Sequence, residues 1–332
     1  MRARLLSGFL FFAICLGLGY AGVGRYDVTK TRGLRDSNRY VEMVRGTSNP
    51  TVQQDLRVLV PALARPISWL GANSIGKWSP ELLGLLVVNS FFVAWCAVLL
   101  MSIAERVVSD DSVARMAALL YLLTFNITNF QLAGLVDSVE AWAMLAITWA
   151  VFNERWRYVP LIGIVGALGK DTTLPVVLPF CIAWTLQLVR DKSRFRAALI
   201  GTLALLVVQL GTLVVVRYAL TGDLVLPWEL ANSKRNSTTL GVAIGGILFN
   251  RELLYSFGWL LPLGLIRLRQ LPAAWIISSA ASLVTILLIG VAWGIGGNVS
   301  RPAFNAIAPI LTLSAAIWLS RLGARDSVAD TR

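Results

Sequence analysis

The chain has 332 residues, of which 56% are hydrophobic and only 14% are charged. Soluble domains carry about 25% charged residues, and the apolar residues here form blocks near the length of about 20 residues that crosses a bilayer as a helix. Histidine is absent, which excludes His-based catalytic pairs and His-ligated metal or haem sites. The composition predicts an all-α, polytopic transmembrane bundle of one domain, whose acid/base chemistry depends on Asp and Glu.

The three cysteines, Cys15, Cys96 and Cys181, lie singly inside apolar runs. They are typical of buried structural residues, because a metal set or a disulfide framework needs grouped or regularly spaced cysteines. No aromatic-basic platform or reading motif accompanies the net charge of +12, so nucleic acid is not an expected partner.

Most of the basic residues lie in short clusters between hydrophobic runs: Arg2 and Arg4, Arg155 and Arg157, Arg190 to Arg196, Arg267 and Arg269, Arg321 and Arg325. Cytoplasmic clusters satisfy the positive-inside rule and bring the chain into contact with anionic membrane lipids. This orientation predicts two cytoplasmic termini. Since 25 of the 30 basic residues are arginine, we expect a bacterial plasma (inner) membrane protein.

The first hydrophobic run covers residues 5–24 and is predicted to be a retained helix, with a cleavable signal peptide as the alternative. The following polar segment, residues 25–79, is predicted to lie outside the cytoplasm. It contains amphipathic pieces at about 36–46 and 50–65, which suit helices lying along the membrane interface. In the second piece, four apolar residues are predicted to share one face: Leu56, Leu59, Val60 and Leu63.

Further spans are predicted from the remaining apolar runs. They fall at about 82–103, 113–128, 137–152, 196–219, 251–266, 272–293 and 303–320, with an outer loop at about 129–135. Residues 158–189 are predicted to form a hairpin with a polar break at 169–173, because the arm before Lys170 is too short for a full crossing. The total is about ten spans, including this broken or re-entrant hairpin.

In this topology most acidic residues and several basic residues lie on or near the outer side. The basic ones are Arg39, Arg45, Arg57, Lys170, Arg235 and Arg301. Basic residues retained there against the topological bias indicate a site that holds an anion, since ionisable groups at membrane depth are usually paired or functional.

The segment that follows the first helix carries the most informative pattern. On a helix, Asp36, Arg39, Tyr40 and Met43 share one face. A carboxylate there could accept a proton from a hydroxyl group while a nearby Arg or Lys binds phosphate. The alternative is that Asp36 only caps a helix that begins at Ser37.

Three motifs in chain order resemble the GT-C superfamily of polytopic membrane glycosyltransferases, which use polyprenyl-phosphate sugars. They are Asp36 with Tyr40 to Met43, the Arg-x-Leu-x-Pro-x-Leu-Ala segment Arg57 to Ala64, and Gly166 to Thr172 with Pro175, where Asp171 replaces the commoner Glu. Arg301 stands near the last outer loop, where this family often contacts the donor phosphate. The chain departs from the family in lacking paired acids in the first loop and any soluble outer domain.

The resemblance implies the role of each candidate residue. Asp36 would be the catalytic base, and the donor phosphate would be bound by Lys170, Arg301 and Arg57. Supporting or acceptor-binding roles would fall to Arg39, Tyr40, Asp137, Glu140 and Asp171. The implied partners are a polyprenyl-phosphate sugar and a glycan or lipid acceptor on the extracytoplasmic face. No cofactor is required, no metal ligand is assigned, and assistance by a divalent metal is left open.

Other interpretations of the same residues remain. Lys170 and Asp171 could neutralise each other and close the hairpin, and Asp137 and Glu140 could cap the helix after the outer loop. At the level of function, broken helices with buried charge also suit a transporter or flippase for a lipid-linked or anionic substrate. A third alternative is a non-catalytic component of a polysaccharide assembly complex.

Overall fold

The computed structural model describes residues 2–25, 35–48, 56–72, 79–224, 240–293 and 299–329, and these residues form helices and no strand. Five helical segments are long and apolar enough to cross a membrane. They are Arg4–Val23, Pro80–Val108, Lys192–Thr221, Ala273–Ala292 and Ser300–Leu322. The chain is therefore an all-helical membrane protein, as its composition predicts.

The described part of the chain contains fourteen α-helices. Their bounds are α1 Arg2–Arg25, α2 Arg35–Arg45, α3 Leu59–Gly71, α4 Pro80–Val108, α5 Asp111–Leu122, α6 Asp137–Phe152, α7 Val159–Gly169, α8 Thr173–Gln187, α9 Lys192–Thr221, α10 Leu240–Leu248, α11 Arg251–Phe257, α12 Leu260–Ile266, α13 Ala273–Ala292 and α14 Ser300–Ala329. A π-helical turn, Ile127–Gln131, lies between α5 and α6.

Polar contacts define two ends of the bundle. At one end, the start of α1 meets the end of α4 through Arg4 and Glu105 (2.5 Å), and Arg106 donates to Asn153 at the end of α6 (2.7 Å). We call this the basic end, because the basic clusters at 154–157 and 190–196 also lie there. At the opposite end, α2 meets the start of α4, and the start of α11 meets the start of α14. The two ends therefore separate the residues that the sequence assigns to opposite sides.

Helix α3 packs closely against α4 at Gly84. A Cβ atom on Gly84 would lie 2.5 Å from the backbone oxygen of Ala64, a distance that real Cβ atoms do not reach. The face of α3 against α4 includes Val60 and Ala64, both fully buried, whereas Leu63 is 44% exposed. α4 therefore covers only part of the predicted apolar face, the stripe that contains Val60, and leaves Leu63 exposed.

The second amphipathic piece also differs from the prediction in its bounds. Helix α3 begins at Leu59 and continues to Gly71, while residues 50–55 of the predicted piece lie outside the described residues.

Two predicted spans are interrupted. The span predicted at 113–128 ends as an α-helix at Leu122 and is followed by a turn and the π-helical turn. The span predicted at 251–266 is divided into α11 and α12 around Gly258. Pro262 stands in the first turn of α12, where its missing N–H leaves no intrahelical bond unmade.

The outer loop predicted at 129–135 is packed inside the protein. Leu132, Ala133 and Leu135 are buried, and the backbone oxygen of Leu135 accepts a 2.7 Å hydrogen bond from Asn89 of α4. By contrast, the break predicted at 169–173 lies where the sequence indicates it, since α7 ends at Gly169 and α8 begins at Thr173.

We expect Gly84→Ala to lower the free energy of unfolding by about 1–3 kcal/mol, because an added methyl group has to push α3 and α4 apart. Gly211→Ala is the matched control, since nothing lies within 4 Å of a Cβ atom there and the gain in helix propensity is the same. Thermal unfolding in detergent micelles measures both. Equal melting temperatures for the two variants would contradict the tight α3–α4 contact.

Candidate functional site: a buried ionic network at a helix break

The break between α7 and α8 brings Lys170 against α6. Lys170 has an extended backbone (φ −161°, ψ 129°), and its N–H still donates to the backbone oxygen of Gly166 (2.8 Å). A Cβ atom on Gly166 would lie 2.7 Å from Thr173 and 3.1 Å from Ala143 of α6. Glycine therefore allows the two arms of the hairpin and α6 to approach each other closely.

The Lys170 ammonium is enclosed by two carboxylates from the first turn of α6. It donates a hydrogen bond to Asp137 and lies 3.2 Å from an Oε atom of Glu140. The exposed fractions of these three side chains are 6%, 3% and 0%. A buried ammonium needs this pairing, because an isolated charge in a low-dielectric interior is strongly disfavoured.

Arg301, in the first turn of α14, joins the same cluster. Its Nη1 atom lies 3.1 Å from the second oxygen of Asp137, so that this carboxylate is held between Lys170 and Arg301. The guanidinium also stands over the ring of Phe130, 5.3 Å from its centroid. The side chain of Arg301 keeps 18% of its surface exposed.

Neutral side chains also donate to both oxygens of Glu140, one of which is the oxygen nearest Lys170. Thr172 donates to one oxygen, and the amide of Asn305 donates to the other at 2.8 Å. The carbonyl of Asn305 in turn accepts a hydrogen bond from Gln131 in the π-helical turn (3.1 Å). Sequence reasoning missed Asn305 and Gln131 as members of this cluster, although each is a polar amide inside an apolar stretch.

A second branch reaches the segment that follows α1. Arg57 bonds Asp171 through Nε (2.9 Å) and donates to the Tyr40 hydroxyl through Nη1 (2.9 Å). Tyr40 is buried on α2, and burial raises the pKa of its hydroxyl while the Arg57 charge partly opposes that rise. The phenol therefore stays protonated and accepts from Arg57.

Together these side chains form what we call the ionic network, which consists of Arg57, Asp137, Glu140, Lys170, Asp171 and Arg301. It contains three cations and three carboxylates, so it is neutral without a ligand. All three predicted phosphate-binding residues are thus already ion-paired. The exposed edges of Arg57 (13%) and Arg301 (18%) are more accessible than Lys170 (6%).

Asp36 lies beside the ionic network without being tied into it. It is half-buried and close enough to act electrostatically on Tyr40 and Arg301. Among the residues that the structure describes, no hydrogen bond or salt bridge engages its carboxylate. Because α2 begins at Arg35, Asp36 lies inside the first turn and not at the cap position before Ser37.

The predicted pairing of Lys170 with Asp171 is not the arrangement observed. Lys170 contacts Asp137 and Glu140, whereas Asp171 binds Arg57. Asp137 and Glu140 do lie in the first turn of α6, but neither caps a backbone N–H group there. Arg39 forms a 3.7 Å salt bridge with Glu42 on the same helix.

The ionic network lies well below the end of the bundle. Ser138, next to Asp137, donates to Asn89, which stands nine residues into α4. At about 1.5 Å per residue, this level is about 13 Å below the start of α4. On the opposite side of the hairpin, Gln209 of α9 donates to the backbone oxygen of Gly163 in α7 (3.2 Å). From this contact α9 continues to Thr221, towards the same end of the bundle as the start of α4. The predicted position of Lys170, below the surface at a helix break, agrees with this depth.

An apolar groove opens near the second branch. It has a volume of about 190 Å³ and lies between α2, α3 and the end of α9. Its walls include Met43, Val58, Pro61 and Leu220. Arg65 lines one side and binds the backbone oxygens of Met43 (2.9 Å) and Val44 (3.2 Å) at the end of α2.

Within the described ranges, no group of three or more Cys, Asp or Glu side chains is arranged to hold a metal ion. No protein-family model, curated protein or solved structure matches this chain. Function is therefore inferred from the residues and their geometry.

We expect Lys170→Met to destabilise the protein by about 3–5 kcal/mol, because it leaves the buried Glu140 without a counter-charge and leaves Asp137 with Arg301 alone. The double variant Lys170→Met/Glu140→Gln restores neutrality and should recover part of this loss. Thermal unfolding of both variants tests the coupling. Asp111→Asn is the control, since its salt bridge with Arg115 is long (3.8 Å) and exposed, and little change is expected. A double variant no more stable than Lys170→Met would contradict the proposed charge balance.

Proposed function

We propose that this protein is a membrane glycosyltransferase that moves a sugar from a polyprenyl-phosphate donor to a glycan or lipid acceptor. The reaction takes place on the extracytoplasmic face of a bacterial inner membrane. In this proposal the chain crosses the membrane about ten times and has a GT-C type of fold. The shorter segments α5, α6, α11–α12 and the two arms of the broken hairpin, α7 and α8, make up the number alongside the five long helices, and both termini are cytoplasmic.

The observation that carries the proposal is the position of Asp36. This half-buried carboxylate, which no side chain in the described ranges binds, lies within electrostatic range of Arg301, whose guanidinium is held in place by Asp137. The two residues are 265 positions apart in the chain, yet α2 and α14 bring them to the same end of the bundle. A base beside a fixed cation is what glycosyl transfer from a phosphate-linked donor requires.

In the proposed mechanism, Asp36 takes the proton from the acceptor hydroxyl, and the hydroxyl oxygen attacks the anomeric carbon of the donor sugar. The bond between that carbon and the phosphate oxygen breaks, and polyprenyl phosphate leaves with the bonding electrons. The negative charge that gathers on the phosphate is stabilised by the accessible edges of Arg301 and Arg57. Fixed cations in a site shielded from water stabilise such charge without having to reorganise.

Lys170 has a different role in this proposal from the one that the sequence suggests. Since Asp137 and Glu140 enclose it, Lys170 holds these carboxylates in place and so fixes Arg301 through Asp137. It acts as a positioning residue, and the phosphate contacts the two arginines. The groove between α2, α3 and α9 is the proposed site for the first isoprene units of the donor, because its walls are mainly apolar.

We expect Asp36→Asn to abolish sugar release from a polyprenyl-phosphate sugar while donor binding persists, because the variant keeps the shape of the side chain and loses only the base. Purified protein reconstituted in lipid vesicles would be tested against a panel of such donors with crude membrane acceptors. Glu42→Gln is the matched control on the same helix, since Glu42 is half-exposed and pairs with Arg39.

Loss of turnover in Asp36→Asn with normal turnover in Glu42→Gln supports the proposal. Equal turnover in wild type and Asp36→Asn would refute the role of Asp36 as base. No turnover by the wild type on any donor of the panel would refute the glycosyltransferase function itself.

One observation favours a second candidate, a transporter or flippase for an anionic substrate. The ionic network is neutral, buried and centred on a helix break, and substrate sites of transporters are often built in this way. Movement of a labelled polyprenyl-phosphate sugar between leaflets of protein-containing vesicles, without sugar release, would support this candidate. Lys170→Met would stop that movement, whereas Asp36→Asn would not.

A further inference from the structure

A cavity of about 490 Å³ lies at the basic end of the bundle, opposite the ionic network. It is formed by the ends of α6 and α8 and by the starts of α9 and α13. The ionic network, by contrast, is formed by Arg57, by the break between α7 and α8 and by the starts of α6 and α14. The cavity is therefore a separate site, and neither proposed function uses it. Its volume falls within the range of about 300–1,000 Å³ that is usual for small-molecule sites.

The walls of this cavity combine aromatic rings with hydrogen-bond donors. Trp156 and Trp184 line it and are more than nine-tenths buried. Neither indole N–H donates a hydrogen bond to another residue that the structure describes. Ser193 and Arg194, in the first turn of α9, form the polar wall. Aromatic rings, a hydroxyl and a guanidinium that line one cavity are suited to an anion that carries an apolar group.

The charge and the apolar surface around the cavity also fit an anion that carries an apolar group. Residues 154–157 and 190–196, which include the lining residues Glu154 and Arg194, hold six basic and two acidic side chains, so these segments carry a net positive charge. Apolar side chains on α8, in the turn after it and on α9 are exposed beside the cavity, as Leu186, Val189 and Ile200 illustrate. A ligand with an anionic head at the rim and hydrocarbon chains along these faces matches both features. A soluble anion would make no contact with these apolar side chains.

Two carboxylates oppose an anion in this cavity. Glu154 lines it and forms a salt bridge with Arg194, and Asp191 lies 3.9 Å from the Arg194 Nε atom. All three side chains are about half exposed, and exposed pairs contribute little stability. An incoming phosphate diester can therefore compete with these carboxylates for Arg194.

We propose that this cavity binds the phosphate of an anionic phospholipid, such as a phosphatidylglycerol. The acyl chains lie along α8 and α9. This inference does not rest on the proposed function, since it concerns the other end of the bundle and different residues.

Native mass spectrometry of the purified chain tests the proposal, with phosphatidylglycerol and phosphatidylcholine of identical acyl chains as probes. We expect phosphatidylglycerol to be retained at least about fivefold more strongly, the factor that corresponds to one Lys or Arg near a membrane surface. Arg194→Gln should remove this preference. Arg196→Gln makes the same change of charge two residues further along α9 but does not line the cavity, and it should keep the preference.

A second pair of variants tests the cavity rather than the charge. Ala274→Phe fills it and should reduce retention of phosphatidylglycerol, whereas Ala273→Phe, at an exposed position outside the lining, should not. Equal retention of the two lipids, equal effects of Arg194→Gln and Arg196→Gln, or normal retention by Ala274→Phe would each overturn the proposal. Displacement of the lipid by excess inorganic phosphate, with Arg194-dependent protection against thermal unfolding by phosphate alone, would assign the cavity to a soluble phosphate compound instead.

Discussion

Burial of the Lys170 ammonium is the constraint on which the arrangement of the helices around it depends. Removal of a charge from water is tolerated only with close counter-charges and satisfied hydrogen bonds. Asp137 and Glu140 of α6 supply the counter-charges. Arg301 of α14 pairs with Asp137, and Asn305 of α14 donates a hydrogen bond to Glu140. The register between α6, the α7–α8 break and α14 is therefore set by polar contacts, in a bundle whose other contacts are mostly apolar.

Paired charges and hydrogen bonds also fix the segment that follows α1. Arg57 is shared between Asp171 at the break and Tyr40 on α2, and Arg65 binds the last carbonyl groups of α2. The orientation of α2 thus depends on the hairpin and on α3. Since Asp36 lies in the first turn of α2, the position of the proposed base is coupled to the proposed phosphate site.

The sequence indicates the members of the site better than their pairing. Apolar length and the Gly-Lys-Asp-Thr-Thr break predict the long helices and the interruption at 169–173, because both signals are local. The partners of Lys170 and Asp171 are not local. Lys170 is extended, and successive side chains of an extended segment point in opposite directions. Adjacent charges therefore face different neighbours, and a mutual pair, although it is the simplest interpretation of the sequence, is not formed.

Non-local packing also explains the other differences. Nothing in the alternation of apolar residues shows which stripe of α3 meets α4, or that residues 132–135 are covered by protein, since both depend on neighbours far along the chain. The contacts of Asn305 and Gln131 in the site are not predicted from the sequence for the same reason. An isolated amide in an apolar run has no local signature of its partner.

The order of the ionic network along the chain has a consequence for biosynthesis. Asp137 and Glu140 emerge from the ribosome about thirty residues before Lys170, and Arg301 emerges more than a hundred residues after Lys170. A carboxylate that enters the bilayer alone carries a cost of about 2.5–3.5 kcal/mol. In the proposed topology, in which α6, α7 and α8 also enter the bilayer, these three helices leave the insertion machinery as one unit, with Lys170 already against its two carboxylates. Arg301 then closes the assembly only after translation of α14 has begun, so that the site is completed last.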